Sequence, residues 1–212
     1  MLARMEDPGQ VEEIKRNFYA KYPNMDWLMI TSCPNAHEYD GLRVGEIAAM
    51  RGQDEFETAL DLVRISNDAA KCVFFSMCEA DVKAVLANPR TMIGTDGSVG
   101  MTGRSFHPRV RGAFPRAIGR YVRELGVVAL PEMIRKMTSM PAAVYGLSSK
   151  GLVWEGFDAD LCIFDPDKLI DRADYTRPTL RCEGLDYVIV GGKVAAVDAV
   201  STGQLGGTML YR

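Results

Sequence analysis

The sequence predicts an α/β protein, and three observations carry that expectation. Short apolar runs alternate with segments of helical period over the first two thirds of the chain. Strand, helix, strand, helix, strand at that pace predicts parallel βαβ units. The last third changes to closely spaced strand-like runs with a Gly-Gly turn, which predicts an antiparallel sheet.

The elements follow in order. Trp27-Leu28-Met29-Ile30-Thr31 is an apolar run ending at Ser32-Cys33-Pro34, so it reads as a buried strand and a loop. Gly45 to Met50 reads as a short helix stopped near Gly52. Asp54 is an N-cap candidate with Glu57 three residues on, and Phe56, Ala59, Leu60 and Val63 follow at helical spacing. Cys72 to Ser76 is the second expected strand, Glu79 to Ala87 a helix, and Thr91 to Gly94 the third strand. Helical patterns then begin at Pro115, Pro131 and Pro141; Pro131 and Pro141 each suit a first helical turn, where the missing N–H costs nothing. Asp160 to Asp165 and Tyr187 to Val190 read as strands, and Gly191-Gly192 turns the second into Lys193 to Val197. Three parallel strands cannot close a barrel, and three or four antiparallel strands make a thin domain. Both parts read as incomplete.

Composition narrows the function classes. The 212 residues allow one large domain or two small ones. A net charge of −3 excludes a general nucleic-acid footprint. No apolar run is long enough to span a bilayer, and Met1 to Pro8 has no signal-peptide core. The expectation is a soluble cytoplasmic protein without nucleic-acid or membrane partners. Cys33, Cys72, Cys78, Cys162 and Cys182 are an odd, scattered set, unlike a disulfide framework. Cys72 and Cys162 sit in apolar runs and are expected to be buried thiols. With only His37 and His107, neither HxH nor HExxH can occur.

Asp96 is the most informative single residue. It follows an expected strand, with Gly97 beside it. A carboxylate at the C-terminal end of a parallel strand faces the loops where such folds place their sites. An Asp-Gly pair that is only a turn or a cap fits the position equally well.

The wider motifs distinguish these readings. Ile93-Gly94-Thr95-Asp96-Gly97-Ser98, His107-Pro108-Arg109, Gly112-Ala113-Phe114-Pro115-Arg116 and Gly119-Arg120-Tyr121-Val122-Arg123 resemble the D-aminoacylase (N-acyl-D-amino-acid deacylase) family. The resemblance continues through Ile134-Arg135-Lys136-Met137-Thr138, Pro141-Ala142, Gly151-Leu152-Val153 and Asp158-Ala159-Asp160-Leu161. It covers the chain from about position 27, and the His-Pro-Arg and Gly-x-Phe-Pro-Arg pair is its most specific part. The resemblance implies the C-terminal portion of a metal-dependent, TIM-like (β/α)8 barrel over residues 1–147. Part of a small β-sandwich domain would follow over 148–212. It implies hydrolysis of N-acyl-D-amino acids by a zinc-activated water. Asp96 would touch the metal and handle the water's proton. Arg109 would grip the substrate carboxylate with two hydrogen bonds, unless it is a structural loop arginine.

His107 could be taken for a zinc ligand, but the resemblance places it in the His-Pro-Arg loop and gives it a structural or supporting role. His37 reads as an exposed loop residue, and Cys33 as structural. The family's HxH pair, bridging cysteine and later histidine ligands have no counterpart here, and Ser98 to Phe106 differs in composition from typical members. Zinc needs at least three protein ligands, so the chain alone is expected to bind it weakly or not at all. Two readings follow: a portion of an enzyme that works with an N-terminal metal-bearing half, or a non-catalytic remnant. Uncovered strand edges predict docking with such a half or self-association.

Overall fold

In the computed structural model, which describes residues 2–97 and 107–210, the helices begin and end where local chemistry directs. Helix α1 (Pro8–Tyr19) starts with proline in its first turn, and the Asp7 side chain accepts from the Gly9 and Gln10 amides. Helix α2 (Val44–Arg51) stops at Gly52, whose φ of 63° is left-handed. Helix α3 (Glu55–Ile65) is capped by Asp54, which accepts from the Phe56 and Glu57 amides.

The chain divides into two compact units at Met77/Cys78. In the first, α1–α3 accompany strands β1 (Leu28–Ser32) and β2 (Lys71–Phe74). Ile30, Cys33, Val44, Ile47, Phe56, Leu60 and Leu62 form its core. The two strands pair antiparallel, with Ser32 opposite Lys71 and Leu28 opposite Phe74. This corrects the parallel βαβ expectation. Two helices, rather than one crossover helix, separate the strands, and the chain re-enters beside the end it left. Cys72 is also exposed, against expectation. In this two-stranded ribbon only Val73 of β2 is buried, and its neighbours along the strand point to the open side.

The second unit contains α4 (Glu79–Ala87), α5 (Arg109–Arg116), α6 (Leu130–Met137) and α7 (Ser139–Tyr145). Helix α5 starts six residues before the expected Pro115 and carries that proline inside it. Pro115 has no N–H, and one residue after Arg116 the winding loosens into a π-helical stretch, Ala117–Glu124. Its close is marked by the Leu125 amide donating to Arg120 O at 2.9 Å. The third expected strand, Thr91 to Gly94, forms no strand among the described residues. The Ile93 amide instead donates to the Lys136 carbonyl at 3.2 Å, so α6 takes the place of a strand partner.

Strands β3 (Leu161–Phe164), β4 (Leu185–Val190), β5 (Lys193–Val197) and β6 (Val200–Ser201) make an antiparallel meander in that order. The Gly191-Gly192 hairpin is where the sequence places it. In this unit the described residues give one sheet, and no second layer of a sandwich is among them. On edge strand β3 the Cys162 side chain is exposed, again contrary to the buried expectation. Ala117, Ile118, Tyr121, Val128, Met133 and Leu169 form the core of this unit.

Candidate functional site

Asp96 lies in the irregular run after α4, with a left-handed φ of 44°. Beside it the Gly97 amide donates to Thr95 Oγ1 at 3.1 Å, which closes the turn locally. Arg109 is the first residue of α5. Its Nη1 lies 3.0 Å from Asp96 Oδ2, so the two residues singled out by the sequence meet in an ion pair. The Asp96 side chain is 89% exposed and that of Arg109 42%. The pair therefore stands at the surface, open to solvent and to a ligand.

His107 supports this corner from within. Its Nδ1 accepts the Arg109 amide at 3.0 Å, and its ring meets Tyr175 edge-on at 5.2 Å. Burial pulls its pKa below the ordinary histidine value; Arg109 adds to that shift and Asp96 opposes it. A ring nitrogen committed to the backbone supports the structural role expected for His107. Ser98 to Phe106, between the two arms of the corner, lies outside the described residues.

The other singled-out residues belong elsewhere. His37 is exposed and bonds Asp40 through Nδ1 at 2.9 Å. Cys33 is fully buried, and burial raises its thiol pKa. Among the described residues no group of three or more His, Cys, Asp or Glu side chains could hold a metal ion. Asp96 is a single exposed carboxylate, so the described residues do not by themselves fit a zinc site.

Sequence reading missed a cavity of about 650 Å³ in the second unit. Phe114, Ile118, Met137, Leu152 and Phe164 line it, and Lys150, which pairs with Asp158 at 3.0 Å, stands at its polar side. Neither Asp96 nor Arg109 lines it. Its walls come from separate segments of the chain, and no local motif announces such a convergence.

The fold and motifs define a class. The amidohydrolase family model matches residues 11–196, and the chain belongs to that family. Among its relatives are a D-aminoacylase and deacylases of N-acyl-D-glutamate and N-acyl-D-aspartate. The chain is similar to D-aminoacylase of Alcaligenes xylosoxydans xylosoxydans, at 37% identity over 87% of this chain and 37% of the relative. N-acyl-D-glutamate deacylase of the same organism is 36% identical over 79% of this chain and 33% of the relative. A crystal structure of D-aminoacylase superposes with a TM-score of 0.73 at 39% identity, covering 84% of this chain and 36% of that one. An N-acyl-D-glutamate deacylase from Bordetella bronchiseptica, complexed with zinc and a phosphonate inhibitor, gives 0.71 at 30% identity, covering 91% and 44%. The chain thus spans about a third of the length of these two curated relatives. No described helix is long and apolar enough to cross a membrane.

Proposed function

We propose that this chain supplies the C-terminal portion of a hydrolase that cleaves the amide bond of N-acyl-D-amino acids. The meeting of Asp96 and Arg109 at 3.0 Å, at the start of α5, is the observation that supports it. Asp96 takes the proton of the attacking water and returns it to the leaving amine. Arg109 holds the free carboxylate of the substrate. It already engages a carboxylate through one nitrogen, and a guanidinium offers five donors in a planar fork. Zinc would be held by Asp96 together with ligands from an N-terminal metal-bearing half, because this chain's described residues do not complete the set. In that assembly residues 1–147 join a (β/α)8 barrel and 148–212 a small β-domain.

The alternative is a non-catalytic remnant that folds or self-associates. The incomplete ligand set among the described residues favours it, as do the exposed Val153 and Trp154 and the open edge of β3. The test compares the chain alone with the chain mixed with a metal-bearing half. Zinc analysis and turnover of N-acetyl-D-amino acids are the readouts. Alone, the chain should hold well under one zinc and show no turnover; mixed, it should turn over. In the mixture Arg109→Lys should raise KM with kcat little changed, because charge stays and paired geometry goes. Tight stoichiometric zinc with turnover in the chain alone would overturn the split-site reading. A mixture that assembles without activity would favour the remnant.

A further inference from the structure

Helix α6 contains a lysine that the proposed chemistry does not use. Lys136 has no exposed surface, and it is the largest of the fully buried side chains. Its Nζ donates to Asn88 O, to Thr91 O at 3.0 Å and to Thr91 Oγ1 at 3.0 Å. All three acceptors are neutral oxygens. Burial accordingly pulls the lysine below its ordinary pKa. A buried charge with no anion among its hydrogen-bond acceptors is a costly way to fill a core position, and an apolar side chain of similar length would pack there at less cost.

The contacts show what the lysine secures. Asn88 ends α4, so the ammonium sits at the negative end of that helix. Thr91 Oγ1 lies 2.7 Å from Val85 O and 2.9 Å from Asn88 O, which ties the turn back onto α4. The Lys136 carbonyl accepts the Ile93 amide, and the neighbouring Arg135 donates to Pro89 O at 2.9 Å. Two adjacent residues of α6 therefore hold five groups of the run 88–93. Asp96 follows three residues after Ile93. The run has no strand ladder of its own. Its path depends on these bonds.

We infer that Lys136 is the positioning residue for Asp96: its buried side chain fixes Asn88 and Thr91, and through them the run that ends at the carboxylate. The inference rests on Asp96 being the site carboxylate. Its test needs neither metal nor substrate, so it can fail or stand separately from the deacylase reading. Backbone ¹⁵N order parameters are measured on the whole 212-residue chain and on Lys136→Met. Order at Thr95, Asp96 and Gly97 should fall from near about 0.85 to below about 0.6, while α4 and α6 keep theirs. Unchanged order at these residues, whatever happens to the melting temperature, would overturn the inference, and so would an equal loss across α4 and α6. Thr91→Val removes one acceptor of the lysine together with the hydroxyl's own tie to Val85 O and Asn88 O, and leaves the lysine in place. It should give a smaller loss at the same three residues, and it decides the matter if Lys136→Met fails to fold. Undiminished order at 95–97 in Thr91→Val would then refute the positioning role.

Discussion

Asp96→Asn separates chemistry from structure. Asparagine keeps the shape and tolerates the left-handed φ of 44°, so the turn survives. What is lost is the charge facing Arg109 at 3.0 Å. At 89% and 42% exposure, solvent screens that pair to about 0–1 kcal/mol. For a chain of this size about 1 kcal/mol moves Tm by roughly 2–4 °C, which bounds the expected fall. The chemical effect is far larger. Losing a general base costs about 10²- to 10⁴-fold in rate, equivalent to roughly 3–5 kcal/mol of barrier. Thermal unfolding of the chain alone should register almost no change. In a deacylase assembled with a metal-bearing half, turnover of an N-acetyl-D-amino acid should collapse, mainly in kcat. A kcat near the unsubstituted value would make Asp96 a turn residue. A Tm loss beyond roughly 10 °C would show that the side chain is structural, because no exposed pair accounts for so much.

Three further outcomes follow from the packing. Gly119→Ala should destabilise the chain in urea unfolding by up to about 2 kcal/mol: helical propensity gains about 1 kcal/mol, but overpacking costs about 1–3. The added Cβ would meet Leu169 O at 2.6 Å, whereas Gly94→Ala meets nothing within 4 Å and should be neutral or slightly stabilising. Native alkylation read by mass spectrometry should label Cys78 and spare Cys33, which is fully buried with a raised thiol pKa; equal labelling would refute that packing. His107, with its pKa below 6.5 in the folded chain, should titrate by NMR at lower pH than it does after denaturation. The unfolded state then binds more protons between the two values. This contribution to stability is full above about 6.5 and is lost as pH falls through the window down to the folded value. A His107 titration at or above 6.5 in the folded chain would refute it.

Where the determinants are local, the sequence was decisive. Asp54 caps α3, Gly52 ends α2, and Gly191-Gly192 turns β4 into β5, each through backbone chemistry confined to a few residues. Helix α4 occupies the expected Glu79–Ala87 for the same reason. The Asp96 and Arg109 motifs were legible as residue types in order, and the family they indicated is the one the chain matches. What the sequence could not decide was pairing. The same apolar run suits a parallel or an antiparallel strand, and only the path through α2 and α3 set β1 against β2 antiparallel. Thr91 to Gly94 has strand composition, but Ile93 finds its hydrogen-bond partner on α6 instead of on a neighbouring strand. Cys72 and Cys162 lie in apolar runs, yet their exposure depends on which face of each sheet is covered. Lys136 looks like a solvated helical lysine until the turn at Asn88–Thr91, more than forty residues earlier, closes over it. Caps and turns act within a few residues, so one segment specifies them. A ladder partner, a covered face or an acceptor for a buried ammonium comes from a distant segment, and only the tertiary structure supplies it.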